Sequence, residues 1–425
     1  MENDLKIISW NITRRCNLKC AHCYLPATFR SDADSSAHGP CELTTEESLS
    51  LIDEIALANK EAMLILSGGE PLLRSDVYEL AEYASRKGMM VVIGTNGYFI
   101  DTDTARKLKE KGVSGVSISL DSVNPEIHDW IRLVPGSWDR AVKAIEICKR
   151  ADLSVQMNTV VTNNNYDEIP ELIQFARSIG VKVFSPFFLV CTGKGEELTD
   201  ISPDQYEELL FLISRLQEDR TGMMIRTRCA PTFRRILYQR NPESSLLKLD
   251  AGKCMAGISY CRITPEGKVT SCPYMQGVVG DVRNKGFHEI WQNSEEFTSL
   301  RNPSLQGKCK ACEFQQVCGG CRARAYAVHG NLMDEDPWCI HIPDGSDIIT
   351  PPAFNSQAEP VFDDGHKPVW TREAEDRVKK VPFFVRSMVK GAIERFAVNN
   401  GCREITPELM MKARKKYGME KMARK

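Results

Sequence analysis

At 425 residues the chain is long enough for one large α/β domain and one or two smaller modules. Its 55 basic and 57 acidic residues nearly cancel, which removes any global electrostatic case for a nucleic-acid partner or a membrane surface. No apolar run is long enough to cross a bilayer, and the opening segment LKIISWNI is too short and wrongly flanked for a signal peptide, so a cytoplasmic protein is expected.

Residues 5–12, LKIISWNI, predict the first strand, and a cysteine loop, TRRCNLKCAHCYLP, follows at 13–26. Next come a helical pattern, TEESLSLIDEIALAN, a strand, AMLILSG, a second helix, DVYELAEYASRKG, and the further strands MMVVIGT, VSGVSISL, SVQMNTVV and VKVFSPFFL. Six such βα repeats predict parallel strands buried on both faces. A doubly wound sheet satisfies that pattern, but a partial barrel is preferred, because polar motifs stand at the C-terminal end of almost every strand, where barrel active sites are built. They are Cys16, Cys20 and Cys23 after the first strand, SGGEP (67–71) after the second, GTNG (94–97) after the third, SLDS (119–122) after the fourth, and Asn158 on the fifth.

Sixteen cysteines in a large chain without an export signal point to metal rather than disulfides. Three form the first group, eight fall between Cys254 and Cys339, and Cys41, Cys148, Cys191, Cys229 and Cys402 are scattered. The scattered five are read as small buried apolar residues. Seven histidines offer no metal-like pair, and His22, between two cysteines of the first group, is read as shaping the loop.

The CxxxCxxC spacing with GGEP on the next βα unit resembles the radical S-adenosylmethionine (SAM) superfamily. Tyr24, after the third cysteine rather than before it, matches one large subgroup. The resemblance implies a partial (β/α)6 TIM-like barrel over 1–230. It also implies a [4Fe-4S] cluster held by Cys16, Cys20 and Cys23, with the remaining iron open to the amino and carboxylate groups of SAM. One-electron reduction then releases methionine and a 5′-deoxyadenosyl radical. By the same resemblance Glu70 and the backbone of Gly68 and Gly69 fix the amino group. Ser119 and Arg132 lie near the carboxylate, Asn96 and Asn158 line the ribose or adenine, and Tyr24 belongs to the cofactor site.

The second cysteine group, Cys254, Cys261, Cys272, Cys309, Cys312, Cys318, Cys321 and Cys339, has enough thiolates for two more four-iron clusters, although CxxC spacings alone suit zinc equally well. With Gly267 ahead of Cys272, it resembles the SPASM extension of radical SAM enzymes and is assigned 231–342. By analogy Cys254, Cys261, Cys272 and Cys321 hold one auxiliary cluster, and Cys309, Cys312, Cys318 and Cys339 the other. Closed clusters of this kind relay electrons, as an oxidative decarboxylation requires.

The stretch CGGCRARAYAVHGNLMDEDPWCIHIP resembles radical SAM enzymes of the alternative haem and haem d1 pathways, which implies an iron tetrapyrrole whose carboxylates Arg322 and Arg324 could meet. Residues 343–368 read as a linker rich in proline, aspartate and glycine. A small helical domain over 369–425 follows, with Phe384, Met388, Ala392 and Phe396 on one stripe and Thr406 and Pro407 opening the last helix. Its run WTREAEDRVKKVPFFVR resembles the C-terminal domain of the protochlorophyllide reductase B subunit. The function expected is therefore radical SAM modification of a tetrapyrrole side chain, with a flavodoxin or ferredoxin as electron donor. A peptide or metalloenzyme maturase is the alternative, although the first strand begins too early for a preceding peptide-binding domain. A non-catalytic iron-sulfur or zinc protein is the third class.

Overall fold

The computed structural model describes residues 5–25, 28–29, 41–190, 201–218, 223–244, 246–247, 253–275, 277–350, 368–381, 383–399 and 402–416. Strand β1 (Ile7–Thr13) is followed by the short parallel pair β2 (Arg15–Cys16) and β3 (Thr28–Phe29). The expected alternation then runs through α1 (Thr45–Asn59), β4 (Met63–Gly68), α2 (Val77–Arg86), β5 (Met90–Thr95), α3 (Thr102–Glu110) and β6 (Gly115–Ser119). It continues with α4 (Pro125–Arg132), α5 (Ser137–Arg150), β7 (Ser154–Val161), α6 (Ile169–Ser178), β8 (Val183–Phe188), α7 (Pro203–Glu218), β9 (Met224–Ile225) and α8 (Thr232–Arg240).

Local signals explain the boundaries. Helix α1 opens with a capping box in which the Thr44 hydroxyl accepts from Glu47 N and Thr44 N donates to the Glu47 carboxylate at 2.8 Å. Its Ser48, Leu51, Ile52 and Ile55 then fall on one buried face. In β1 the period is two: Ile8, Trp10 and Ile12 are fully buried in the main core, while Ser9 and Asn11 point to the other face of the sheet.

The six expected strands lie side by side and parallel, within a ten-stranded sheet of order β12-β11-β10-β1-β4-β5-β6-β7-β8-β9. The sheet is longer than the repeat count suggests. β9 adds parallel to β8, and β10 (Tyr260–Ile263) adds parallel to the free side of β1, with Ile7 opposite Tyr260. β11 (Lys268–Thr270) and β12 (Gly280–Asp281) extend that edge antiparallel. The strand carrying Cys261 of the second group thus pairs with the strand that leads into the loop of the first. Four short helices complete this region: α9 (Phe287–Asn293), α10 (Glu295–Arg301), α11 (Gly307–Ala311) and α12 (Arg322–His329).

The chain divides into two compact units, 1–351 and 352–425. In the second, α13 (Arg372–Lys379), α14 (Phe383–Asn399) and α15 (Pro407–Lys416) surround a core of Ala374, Ile393, Phe396, Ala397, Ile405, Leu409 and Ala413, and the parallel pair β13 (Val369–Trp370) and β14 (Glu404–Ile405) joins its ends. Ala392 and Phe396 of the expected stripe are buried, whereas the side chains of Phe384 and Met388 lie outside the described residues. No helix among the described residues is long and apolar enough to cross a membrane.

Because each unit has its own core and every grouped cysteine precedes the division, a chain ended at residue 351 is expected to fold and to take up as much iron on anaerobic reconstitution as the full chain. Far-ultraviolet circular dichroism and iron assay check this; iron loss in the shortened chain would show that the tail supports the cluster region.

Candidate active site

The loop after β1 gathers Cys16, Cys20 and Cys23. Cys16 is buried, and its thiol is pushed up to about 12 by that burial and by the charges of Glu70, Cys20 and Cys23 around it. Ligation needs the thiolate, so a buried Cys16 gathered with two further soft donors fits a site completed by a cationic centre. An iron-sulfur cluster with one iron left open fits that donor set. The loop is pinned to α4: Ala21 N donates to Ile131 O at 3.0 Å and Lys19 N to Arg132 O at 3.4 Å.

The glycines of SGGEP pack the turn against the chain that leads into the cysteine loop. Gly69 N donates to Thr13 O at 2.8 Å and Glu70 N to Arg15 O at 2.7 Å, so the turn lies directly on the backbone at the foot of the cysteine loop. A Cβ on Gly68 would stand 2.4 Å from Thr13 O, and one on Gly69 2.1 Å from Arg15 O. Gly68 also sits at φ +148°, where other residues are strained. The Glu70 carboxylate is fully buried and accepts from Leu72 N, Asn96 N and the Thr95 hydroxyl at 2.8–3.2 Å. Burial pushes it up to about 7 against those three donors. Asn96 continues the chain of contacts, donating to Asn17 Oδ1 at 2.8 Å within the cysteine loop. Below the turn, the fully buried Arg74 ties Asp76, the Ser48 hydroxyl and Ile12 O together at 2.6–3.0 Å.

Arg132 lies between the SLDS strand end and the cysteine loop. Its guanidinium pairs with the buried Asp121 at 2.6 Å and reaches Cys20 Sγ at 3.6 Å, so it staples the SLDS strand end to the cysteine loop. Burial alone would raise the Asp121 carboxyl, but Arg132, His22 and His128 hold it below its usual range. His22, buried and held neutral at about 4 by desolvation, shapes the loop from inside. Ser119 ends β6 opposite Asn158 of β7, and Asn158 donates to the Ser117 hydroxyl at 2.6 Å while accepting from Gln156. Tyr24 accepts from Asn11 at 3.1 Å, lies under Arg262, and meets Tyr274 edge to face with centroids 5.7 Å apart.

In the second group, Cys309, Cys312, Cys318 and Cys339 line one pocket with Arg235, Phe314 and Gly320. Cys254, Cys272 and Cys321 gather elsewhere, packed around Tyr274, Met275 and Ala323. The loop CGGC divides between the two sets, and it turns through Gly319 and Gly320 at φ +73° and +69°. A Cβ on Gly320 would stand 2.9 Å from Asp336 Cβ and 3.3 Å from Cys309 Sγ, so the turn has room only for glycine.

Cys261 does not join them. It is fully buried on β10 among the main core residues, because strand alternation sends Tyr260 and Arg262 to one face and Cys261 with Ile263 to the other. Cys229, read from sequence as a scattered apolar residue, stands in its place. It packs with Cys254, Cys272 and Cys321, its thiol is raised by burial and by the charges of Cys321 and Cys254, and Cys272 is raised in turn by burial and by Cys229. Its φ of +57°, rare for a residue with a side chain, marks a backbone held in place by its surroundings.

Arg322 and Arg324 are not available to a ligand. Arg322 donates to the carbonyls of Gly319, Leu332 and Asp334, and Arg324 pairs with the buried Asp336 at 3.0 Å, donates to Cys229 O, and stacks 4.0 Å from Trp338.

Residues 10–176 match the radical SAM superfamily, 254–313 the SPASM iron-sulfur cluster-binding domain, and 370–414 the proto-chlorophyllide reductase 57 kD subunit. The chain is 38% identical over 352 residues to the AdoMet-dependent heme synthase of Methanosarcina barkeri, covering 81% of this chain and 98% of that protein. It is 32% identical to the pre-heme d1 synthase of Dinoroseobacter shibae, covering 78% and 85%. In fold it is similar to Streptococcus suis SuiB bound to S-adenosylmethionine, with a TM-score of 0.62 at 18% identity over 80% of this chain and 78% of that one.

Replacing Arg132 by leucine leaves Asp121 buried without its cation, which is expected to cost about 3–5 kcal/mol. Adding Asp121→Asn should recover much of that loss in urea unfolding, and additivity of the two changes would show that the pair is not coupled.

Proposed function

The chain belongs to the radical SAM superfamily and carries its SPASM extension, and from that premise we propose that it removes or decarboxylates carboxylate side chains of an iron tetrapyrrole. The observation that carries this reading is the 38% identity to an AdoMet-dependent heme synthase over 98% of that protein's length. The match of 370–414 to a protochlorophyllide reductase subunit supports it independently, since its name too refers to a tetrapyrrole.

The protein is an enzyme whose cofactors are [4Fe-4S] clusters and SAM. Cys16, Cys20 and Cys23 hold the cluster that SAM completes, beside the GGE turn and the ends of β5, β6 and β7 that carry Asn96, Ser119 and Asn158. We assign the pocket of Cys309, Cys312, Cys318 and Cys339 to one auxiliary cluster, and Cys229, Cys254, Cys272 and Cys321 to the other. When bound at these sites, SAM would supply the radical chemistry that takes a hydrogen atom from the substrate, and the auxiliary clusters would supply an acceptor for the electron left over on loss of carbon dioxide.

The chain's own residues fix where this happens. Arg132 and Asp121 hold the cysteine loop, Glu70 and Arg74 hold the turn against it, and Tyr24 with Tyr274 joins the first cysteine site to the nearer auxiliary site. A small electron donor such as a flavodoxin or ferredoxin and a cytoplasmic setting complete the reading.

Two outcomes test it. Reconstituted protein incubated anaerobically with SAM, a reductant and iron porphyrins is expected to shorten a porphyrin by carbon dioxide or acetate, seen by mass spectrometry. Replacing Cys16, Cys20 and Cys23 together by alanine should abolish 5′-deoxyadenosine. An unaltered porphyrin alongside brisk SAM cleavage would turn the reading towards a peptide or metalloenzyme substrate.

The ligand assignment makes a separate prediction. Full occupancy corresponds to about twelve irons per chain. Cys229→Ala is expected to lower that number or alter the electron paramagnetic resonance of one auxiliary cluster, whereas Cys261→Ala should leave both unchanged. The reverse result would restore Cys261 as the ligand.

A further inference from the structure

Beyond β9 the chain keeps running beside β8. Arg226 N donates to Phe184 O at 2.8 Å, Arg228 N donates to Pro186 O at 2.9 Å, and Phe188 N donates to Arg228 O at 3.1 Å. The alternation of this edge is firm: Ile225 pairs with Phe184, and both lie in the main core. Arg228 bridges to Phe187 and therefore shares the opposite face, the one that carries Asn158 on β7, Asn11 on β1 and Arg262 on β10.

On that face Arg228 is partly buried, and the ionisable groups whose charge it feels are Cys229 and Tyr260. Among the described residues its guanidinium has no hydrogen-bond or ion-pair partner. The other cations around the two cysteine sites are committed: Arg132 to Asp121, Arg324 to Asp336, Arg322 to backbone carbonyls, and Arg262 to Asn11 at 2.6 Å and the Tyr24 ring. A guanidinium drawn partly out of water without an acceptor is costly. Its five donors suit a planar anion that arrives from outside the chain.

We propose that Arg228 is the anchor for a substrate carboxylate, holding it on the inner face of the sheet beside the auxiliary site of Cys229. The inference rests on the tetrapyrrole reading for the identity of the carboxylate, a propionate of an iron porphyrin. It gives the substrate's polar end a fixed place next to Tyr260 and Cys229, and it replaces Arg322 and Arg324 in the role the sequence suggested for them. The anchored group is a binding handle; no bond is made or broken at Arg228.

The test uses the full chain reconstituted with its clusters. An iron porphyrin with free propionates and its methyl ester are titrated into wild type, Arg228→Gln and Arg228→Lys, and the Soret band is followed. Wild type should prefer the free acid. Arg228→Gln should weaken the free acid by about tenfold or more, the scale of a lost charge-assisted hydrogen bond, and leave the ester unchanged, with Arg228→Lys in between. Iron content and the auxiliary-cluster spectrum should stay as in wild type. Equal binding of the free acid by wild type and Arg228→Gln, while wild type still processes it, overturns the role of Arg228 alone. A change confined to the midpoint potential of the auxiliary cluster, with no acid-to-ester difference, also overturns it and makes Arg228 a counter-charge to that cluster. If wild type binds neither porphyrin, the tetrapyrrole reading fails and this inference with it.

Discussion

Gly69 N and Glu70 N each donate to a backbone carbonyl of the segment that leads into the cysteine loop, Thr13 and Arg15, at 2.8 and 2.7 Å. This contact of backbone on backbone requires that neither glycine carry a Cβ, and it sets how far the second βα unit stands from the first cysteine site. The Glu70 carboxylate then carries the same register to β5 through Asn96 N and Thr95, and Asn96 returns it to Asn17 in the loop. The cysteine loop is thus gripped through a closed circuit of short hydrogen bonds, to which the Arg132 guanidinium adds its link from Asp121 to Cys20.

β1 transmits that geometry to the rest of the molecule. A strand with a parallel neighbour on each side is hydrogen-bonded along both edges, and here the neighbours are β4 of the barrel and β10 of the cysteine-rich region. The chain that returns after residue 253 is therefore placed by ladder hydrogen bonds and by no loose docking surface. Because β10 is in register with β1, Tyr260 and Arg262 necessarily share the inner face with Ser9 and Asn11. The Arg262 bond to Asn11 and its stacking on Tyr24 follow from that register.

Much of this was legible in the sequence. The six strands follow from apolar runs at regular spacing, and the three-cysteine spacing with its glycine turn marked the first site, because short-range patterns encode short-range geometry. What was not legible depends on strand parity and on long-range pairing. Cys261 lies at a tempting spacing between Cys254 and Cys272, yet one step along β10 turns it from the inner face to the core beside Ile263. Cys229 has no neighbour in sequence that signals a ligand, and only the fold brings it to Cys321. The pairing of Arg132 with Asp121 was not legible either, since Asp121 lies ahead of helix α4 in another motif.

The first cysteine site and that of Cys272 are linked by an aromatic contact between residues that adjoin their cysteines. Tyr24 follows Cys23 directly, and Tyr274 follows Cys272 by two, so the edge-to-face pair at 5.7 Å has one member anchored at each site. Its rings are held from outside as well, Tyr24 by Asn11 and Arg262 and Tyr274 within the buried cluster of Val190, Met275 and Ala323. The division of CGGC between the remaining two sets extends the same logic: Gly319 and Gly320 turn the chain so that Cys318 and Cys321, only three apart, serve different sites. The three cysteine sets thus follow one another through the Tyr24–Tyr274 ring contact and the two-glycine turn.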